Sequence, residues 1–257
     1  MSTFRFKKFD VVNERSAMKV NTDGVLLGAA MTIHPTDRRM LDIGTGTGTI
    51  ALMAAQRLAA RTDGPRFEVH AIDIDGPSAT EAAANFANSP WADSLHAYHT
   101  SLDDFALNQA NLQSLSCEST TNLPVEYDLI FSNPPYFEDS LTAPDQRKST
   151  ARHTSDGLSY RDIFEFAIKH LSPDGRVAFV LPADQEDSLC RYARMCGLHL
   201  FRILRVRTVP RKAPSRIIAE FSRHRVSQLE DSILTIQNEG QYTQEYLSLT
   251  EDFYLFA

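Results

Sequence analysis

Leu41-Asp42-Ile43-Gly44-Thr45-Gly46-Thr47-Gly48 is a short apolar run that stops at a glycine-rich turn. Residues 39–43 before the turn read as a buried strand, and residues 48–60 (GTIALMAAQRLAA) after it carry apolar side chains at helical spacing. The same alternation continues outward. Strands are expected at 67–72, 95–99, 127–131 and 176–181, with helices at 77–88, 160–170 and 183–196. Two further strands, 199–209 and 215–223, are joined across Pro210 and Pro214. Strand–helix alternation requires right-handed βαβ crossovers and therefore an α/β fold: a mostly parallel sheet with helices on both faces. The seven strands predict a seven-stranded sheet, and the short link between the last two predicts one antiparallel strand at its edge.

Composition agrees with such a fold. The chain has 257 residues, 42% hydrophobic and 23% charged, within the range of globular α/β proteins. It contains no apolar run long enough for a membrane span and no signal-peptide pattern, so a cytoplasmic location is expected. Cys117, Cys190 and Cys196 are unevenly spaced and fit reduced thiols, and no Cys/His pattern with metal spacing appears, so no metal is expected. One domain over 1–257 is expected, with 1–38 as an N-terminal capping segment, and a monomer. The net charge of −7 speaks against nucleic acid, but residues 202–225 hold eight Lys/Arg against one acid. That stretch is either a phosphate-binding surface or the solvated faces of strands.

Glycines at the strand–helix turn let the backbone turn sharply and approach a ligand with no Cβ in the way. The spacing is G-x-G-x-G after an Asp, not the G-x-G-x-x-G of a dinucleotide site. A second acid, Asp73, ends the next strand, where a carboxylate can accept both hydroxyls of a ribose. Asp75 is expected to face away from the ligand, and Ile74 is placed to flank an adenine ring. This constellation resembles class I S-adenosylmethionine-dependent methyltransferases, whose Rossmann-like fold the alternation matches over about residues 20–182. The resemblance implies that Asp42, Gly44, Thr45, Gly46 and Gly48 pass under the cofactor and that Asp73 binds its ribose. It places Ser101 or the Leu102 backbone at the adenine amine, where many members carry an acid.

Strand 127–131 runs into Ser132-Asn133-Pro134-Pro135-Tyr136. Methyl transfer from a sulfonium is an in-line displacement that needs a lone pair about 3 Å from the methyl carbon. An aromatic amine is a poor nucleophile, because its lone pair is delocalised into the ring. Two acceptors on its N–H bonds, the Asn133 side-chain oxygen and the Pro134 carbonyl, hold it and favour a tetrahedral nitrogen. The prolines keep the carbonyl aimed, and Tyr136 can stack on the base. Asn133 also borders the cofactor. The motif marks an amine or amide nitrogen without separating adenine, guanine, cytosine or a glutamine amide.

Residues 16–29 (SAMKVNTDGVLLGA), the Asn-Pro-Pro-Tyr and residues 147–153 (RKSTARH) together resemble bacterial adenine-N6 methyltransferases acting beside the anticodon of valine tRNA. That resemblance implies that Lys19, Thr22 and Asp23 cover the methionyl end of the cofactor, and that Arg147, Arg152 and His153 grip RNA. Arg211 and Lys212, in the basic stretch, are the expected second RNA contact. The alternatives are a protein glutamine-N5 methyltransferase, an rRNA or DNA amino-methyltransferase, and a catalytically silent RNA-binding scaffold. Changing Arg211 and Lys212 together to Ala is expected to weaken tRNA binding and to flatten its dependence on salt. Unchanged affinity across several salt concentrations, measured by fluorescence anisotropy, would remove these residues from the interface.

Overall fold

The computed structural model describes residues 2–16, 18–61, 66–108, 126–135 and 157–255. In chain order the elements are β1 (Thr3–Arg5), β2 (Asp10–Val12), α1 (Thr22–Ala30), β3 (Arg39–Ile43), α2 (Thr49–Ala59), β4 (Glu68–Asp73), α3 (Gly76–Ala87), β5 (Leu95–His99), α4 (Leu102–Asn108), β6 (Tyr127–Ser132), α5 (Tyr160–His170), β7 (Leu171–Pro182), α6 (Glu186–Met195), β8 (His199–Arg207), β9 (Arg216–Ser222), β10 (Glu230–Thr235), β11 (Gln237–Asn238), β12 (Gln241–Tyr242) and α7 (Gln244–Thr250). The main sheet runs β10-β8-β9-β7-β6-β3-β4-β5. Every neighbouring pair is parallel except those made by β9, which is antiparallel to both β7 and β8.

Both faces of this sheet are covered, and successive strand residues serve opposite sides. Met40, Leu129, Phe131, Ala178 and Val180 pack with α1, α2, α3 and α7. Leu41, Ile43, Ile130, Val177 and Phe179 pack with α4, α5 and α6. Local signals set the helix ends. Ser159 and Asp162 form a capping box that starts α5, and Asp75 caps α3 by accepting the Ser78 N–H, with a proline in the first turn. Helix α1 is part of the core: Val25, Leu26 and Leu27 are buried.

The sheet corrects the sequence reading in two respects. The antiparallel strand is β9, but it lies inside the sheet between β7 and β8, not at its edge. Its residues Ile217–Phe221 are buried, which an edge position would leave half-exposed. The edge is instead taken by an eighth strand, β10, parallel to β8. Its polar sequence, EDSILT, suits an edge and hid it among loop-like residues. The turn expected at 172–175 is an irregularity within β7, between the rungs Tyr127–Leu171 and Leu129–Arg176.

The chain ends meet. Phe6 bridges Tyr254, the Lys7 N–H donates to the Phe253 carbonyl (2.8 Å), and Phe6 stacks on Tyr254.

Two histidines are buried side by side at the β4–β5 rung His70–His96, with ring centroids 5.6 Å apart. His70 Nδ1 lies 3.1 Å from the Tyr127 hydroxyl. Burial pushes His70 down to about 3, helped by the nearby His96 and Arg39, and burial also lowers His96. Depressed histidines leave stability intact above their unfolded value of about 6.5 and remove it as pH falls below that value. Buried carboxyls titrate in the opposite sense, so the effect is read as a difference between variants. The stability advantage of the parent over His70→Asn in urea unfolding is expected to shrink by about 1.4 kcal/mol between pH 7.5 and 5.5. A constant difference would show that His70 does not titrate in this way.

Candidate active site

The glycine turn joins β3 to α2 at the C-terminal edge of the sheet. Gly44, Gly46 and Gly48 all have positive φ, at 73°, 57° and 80°. At Gly48 a Cβ would stand 2.5 Å from the Phe86 ring, so conformation and packing both demand glycine there. The N–H groups of Gly44 and Thr45 donate to the Ile72 carbonyl at 2.9 and 3.0 Å, docking the turn on the end of β4.

Asp73 holds that junction from below. Its Oδ2 accepts the Gly46 N–H (2.8 Å) and its Oδ1 the Asp75 N–H (2.9 Å). Each carboxylate oxygen keeps a lone pair for a hydroxyl. Burial raises the Asp73 pKa against these two hydrogen bonds. Ile74 beside it is 73% exposed, an apolar side chain left open at the tip of β4. Asp75 lies beyond the end of β4 and is occupied in capping α3, accepting the Ser78 N–H and hydroxyl. Ser101 caps the first turn of α4, with its hydroxyl bonded to the Asp104 N–H and carboxylate at 3.0 and 2.8 Å. Leu102 follows as the first residue of that helix.

Asp42 lies under the turn, fully buried. Its Oδ2 accepts the Thr45 hydroxyl (2.7 Å), and its Oδ1 has no hydrogen-bond partner among the described residues. Burial raises its pKa to about 7, with the Thr45 bond opposing and the Asp73 charge adding.

A cleft opens over this floor. It is lined by Gly44, Thr45, Gly46 and Thr47 of the turn, Met18 to Asn21, Gly24 of α1, and Asn133 at the tip of β6. Asn133 is buried, and its Nδ2 donates to the Met18 sulfur at 3.5 Å. Ser132 anchors the tip through a 2.6 Å bond to the Ile43 carbonyl. Pro134 is buried beside Asn133. The structure thus brings Asn133 and the glycine turn to one cleft, with Asp73 beneath.

The other expected residues stand as follows. Lys19 lines the cleft, but its ammonium is turned to the carbonyls of Asn13 (3.0 Å) and Glu14 (2.7 Å). Thr22 is exposed in the first turn of α1, where Asn21 is the cap. Asp23 pairs with Arg216 at 2.8 Å. Arg211 and Lys212 are exposed in the β8–β9 turn, at the same edge of the sheet as Asn133. Tyr136, Arg147, Arg152 and His153 lie outside the described residues.

The basic stretch is mostly internal wiring. Arg202 pairs with Glu220 and Glu230, Arg205 with Glu186 and Asp231, and Arg216 with Asp23. Arg223 donates to the carbonyls of Ile168 and Leu171. Of the phosphate-binding surface expected from charge alone, the turn carrying Arg211 and Lys212 stays open, as does Arg225, which is exposed and bonded only to His199 at 3.4 Å among the contacts of the described residues.

Sequence reasoning missed Met18, Asn21 and two α3 residues, Glu81 and Asn85, which hold the segment above the turn. The available signal was an acid and an amide four apart on an otherwise alanine-rich helix.

These features fit a cationic nucleoside: a glycine cradle, a carboxylate at a strand tip with lone pairs left for hydroxyls, an open apolar side chain, and a buried carboxylate with an oxygen that has no hydrogen-bond partner among the described residues. The sheet order and the glycine–Asp–Asn geometry define a Rossmann-like methyltransferase. The fold is shared with a protein of Agrobacterium tumefaciens described as an O-methyltransferase (TM-score 0.60, 14% identity, 89% of this chain and 95% of that one). It is shared also with a Listeria monocytogenes protein described as a class I S-adenosylmethionine-dependent methyltransferase (TM-score 0.51, 14% identity, 82% and 62%). No protein-family model matches the chain.

Full-length relatives are more specific. A Parabacteroides distasonis protein is 42% identical over 253 residues (98% of this chain, 97% of the relative). Relatives from Flavobacterium psychrophilum and Photobacterium profundum are each 36% identical, covering 98% of this chain and 99% and 98% of their own lengths. All three are named tRNA1(Val) (adenine(37)-N6)-methyltransferase. The chain belongs to that family.

Burial raises the Asp42 carboxyl to about 7, and a cationic ligand bound above it would couple its protonation to binding. The charged form attracts the ligand and the protonated form does not. Affinity for S-adenosylmethionine is expected to fall severalfold from pH 8 to pH 6, and Asp42→Asn to be flat over that range. Calorimetric titration checks it, and an equally steep decline in the variant would clear Asp42 of the effect.

Proposed function

We propose that this chain transfers a methyl group from S-adenosylmethionine to the exocyclic N6 of an adenine in tRNA, beside the anticodon of a valine tRNA. The observation that carries the proposal is the shared cleft: Asn133 and the glycine turn line one opening, in a chain 42% identical over nearly its whole length to a relative of that name. Bound there, S-adenosylmethionine supplies the methyl group on a sulfonium. Gly44, Thr45, Gly46 and Gly48 form the floor, Asp73 takes the ribose hydroxyls, and Ile74 covers the adenine ring. Ser101 and the Leu102 backbone stand at the adenine edge, and Asp42 provides negative charge from beneath. Lys19, Thr22 and Asp23 close the methionyl side through the segment they shape.

The residues of the chain act on the target amine by holding it. The Asn133 Oδ1 and the Pro134 carbonyl accept its two N–H bonds and raise the nitrogen lone pair out of conjugation. Tyr136 stacks on the base. No strong base is needed before transfer, because the proton becomes acidic only once the nitrogen is alkylated. A base in an anticodon loop is already unpaired, so extruding it costs little. Arg211 and Lys212 meet phosphates from one side of the cleft, and Arg147, Arg152 and His153 are further phosphate contacts. The chain acts as a cytoplasmic monomer. Among the described residues no helix is long and apolar enough to cross a membrane and no side-chain group could hold a metal ion, and neither feature is required by this chemistry.

The test is incubation with labelled S-adenosylmethionine and total bacterial tRNA, followed by nucleoside analysis. N6-methyladenosine is expected from the parent, and a loss on the order of a hundredfold or more from Asn133→Ala. Label that appears in release factors or DNA and not in tRNA would overturn the substrate.

A further inference from the structure

Residues 12–16 and 18–21 cross from β2 to α1 over the glycine turn, and Met18 to Asn21 form one wall of the cleft. Between Val12 and Val20 this strap buries no apolar side chain among the described residues: Glu14, Arg15, Met18 and Lys19 are exposed and Ser16 is polar. Hydrophobic packing therefore does not hold it, and hydrogen bonds do. Most of them converge on α3. Glu81, 4% exposed, accepts three backbone N–H bonds from the strap. Its Oε1 takes those of Glu14 (2.6 Å) and Arg15 (2.9 Å), and its Oε2 that of Ser16 (2.8 Å). One turn further along α3, Asn85 accepts the Val12 N–H and donates to the carbonyls of Val12 and of Thr47 in the glycine turn. From the solvent side Lys19 ties down the carbonyls of Asn13 and Glu14.

The clamp reaches the site in two steps. The Ser16 hydroxyl donates to the Met18 carbonyl (3.0 Å), and the Met18 sulfur accepts the Asn133 amide (3.5 Å). Ser16 and Met18 also press on Gly46, with the Ser16 Oγ 3.4 Å and the Met18 oxygen 3.6 Å from where a Cβ would stand. Burial disfavours the Glu81 charge, but the three N–H groups outweigh it and keep the carboxyl below its ordinary range, so it is an anion at neutral pH.

We infer that Glu81 is a positioning residue: its carboxylate clamps the strap that walls the S-adenosylmethionine cleft and so sets cofactor affinity without touching the cofactor. The inference rests on the cofactor assignment proposed above. Glu81→Gln is nearly isosteric but turns one acceptor into a donor facing backbone donors. The Kd and KM for S-adenosylmethionine are expected to rise about tenfold or more, the equivalent of one lost charge-assisted hydrogen bond. At saturating cofactor, kcat and the KM for tRNA should stay within about twofold of the parent. Amide exchange at residues 14–16 should accelerate, with β3 amides unchanged. A general loss of stability would not produce that split. Should Glu81→Gln fail to fold, Glu81→Asp keeps the charge but falls short of the strap amides and should raise the cofactor KM in the same direction. A folded variant that binds S-adenosylmethionine as the parent does overturns the clamp alone. A parent that binds no S-adenosylmethionine overturns the cofactor assignment and the clamp with it.

Discussion

A single half-buried carboxylate ties the functional edge of this protein together. Asp73 ends β4, accepts the Gly46 N–H from the neighbouring crossover, and accepts the Asp75 N–H that starts the next one. Two loops that share no sequence thereby share an acceptor, and the glycine turn cannot shift without breaking a charge-assisted bond. The Ile72 carbonyl fixes the same turn one residue earlier. With the turn docked, α2 begins at Gly48, Phe86 fills the space a side chain would have needed there, and the strap lies across the top. The cradle is built as a rigid object, as a site that must align three reacting atoms requires.

The far half of the sheet solves a different problem. The β8–β9 pair brings the turn at 208–215 to the edge that carries Asn133. It also loads the sheet with arginines. Arg202 donates to the fully buried Glu220, whose other oxygen holds the Thr32 N–H after α1. Arg205 bridges α6 and β10. A buried carboxylate left alone costs several kcal/mol, so Glu220 and Arg202 are conditional on one another. The positive charge concentrated in this stretch thus serves mainly to join strands and helices.

Much of the fold is legible in the sequence, and the reason differs from element to element. Residues 39–43, 95–99 and 160–170 are readable to the residue because local chemistry bounds them: Gly44 stops the first, and Ser159 with Asp162 opens the last. The placement of β9 is not readable. Apolar residues on both faces say that a strand is buried, but not between which neighbours. β10 escapes notice because an edge strand can be polar. In the site, Gly44, Gly46, Gly48, Asp73 and Asn133 are visible because each is a backbone or chemical requirement written within a few residues. Glu81 is invisible because its partners at 14–16 are some 65 positions away. The charge of 202–225 can be counted, but its partners at 23, 186, 230 and 231 cannot be guessed from it.

The meeting of residues 6–7 with 253–254 bears on how the molecule comes into being. Contacts between the two ends of a chain carry the largest loop-closure entropy of any in the fold and form late. On the ribosome Phe6 lacks its Tyr254 partner until residue 254 has been made, whereas Phe9 packs on Trp91 and β2 bonds to Asn85 of α3, both of which come much earlier. The strap grows out of the β1–β2 hairpin. The anchors of the strap on α3, Glu81 and Asn85, are made long before residues 253–254, so the wall above the glycine turn can be secured while the contact between residues 6–7 and 253–254 is still to form.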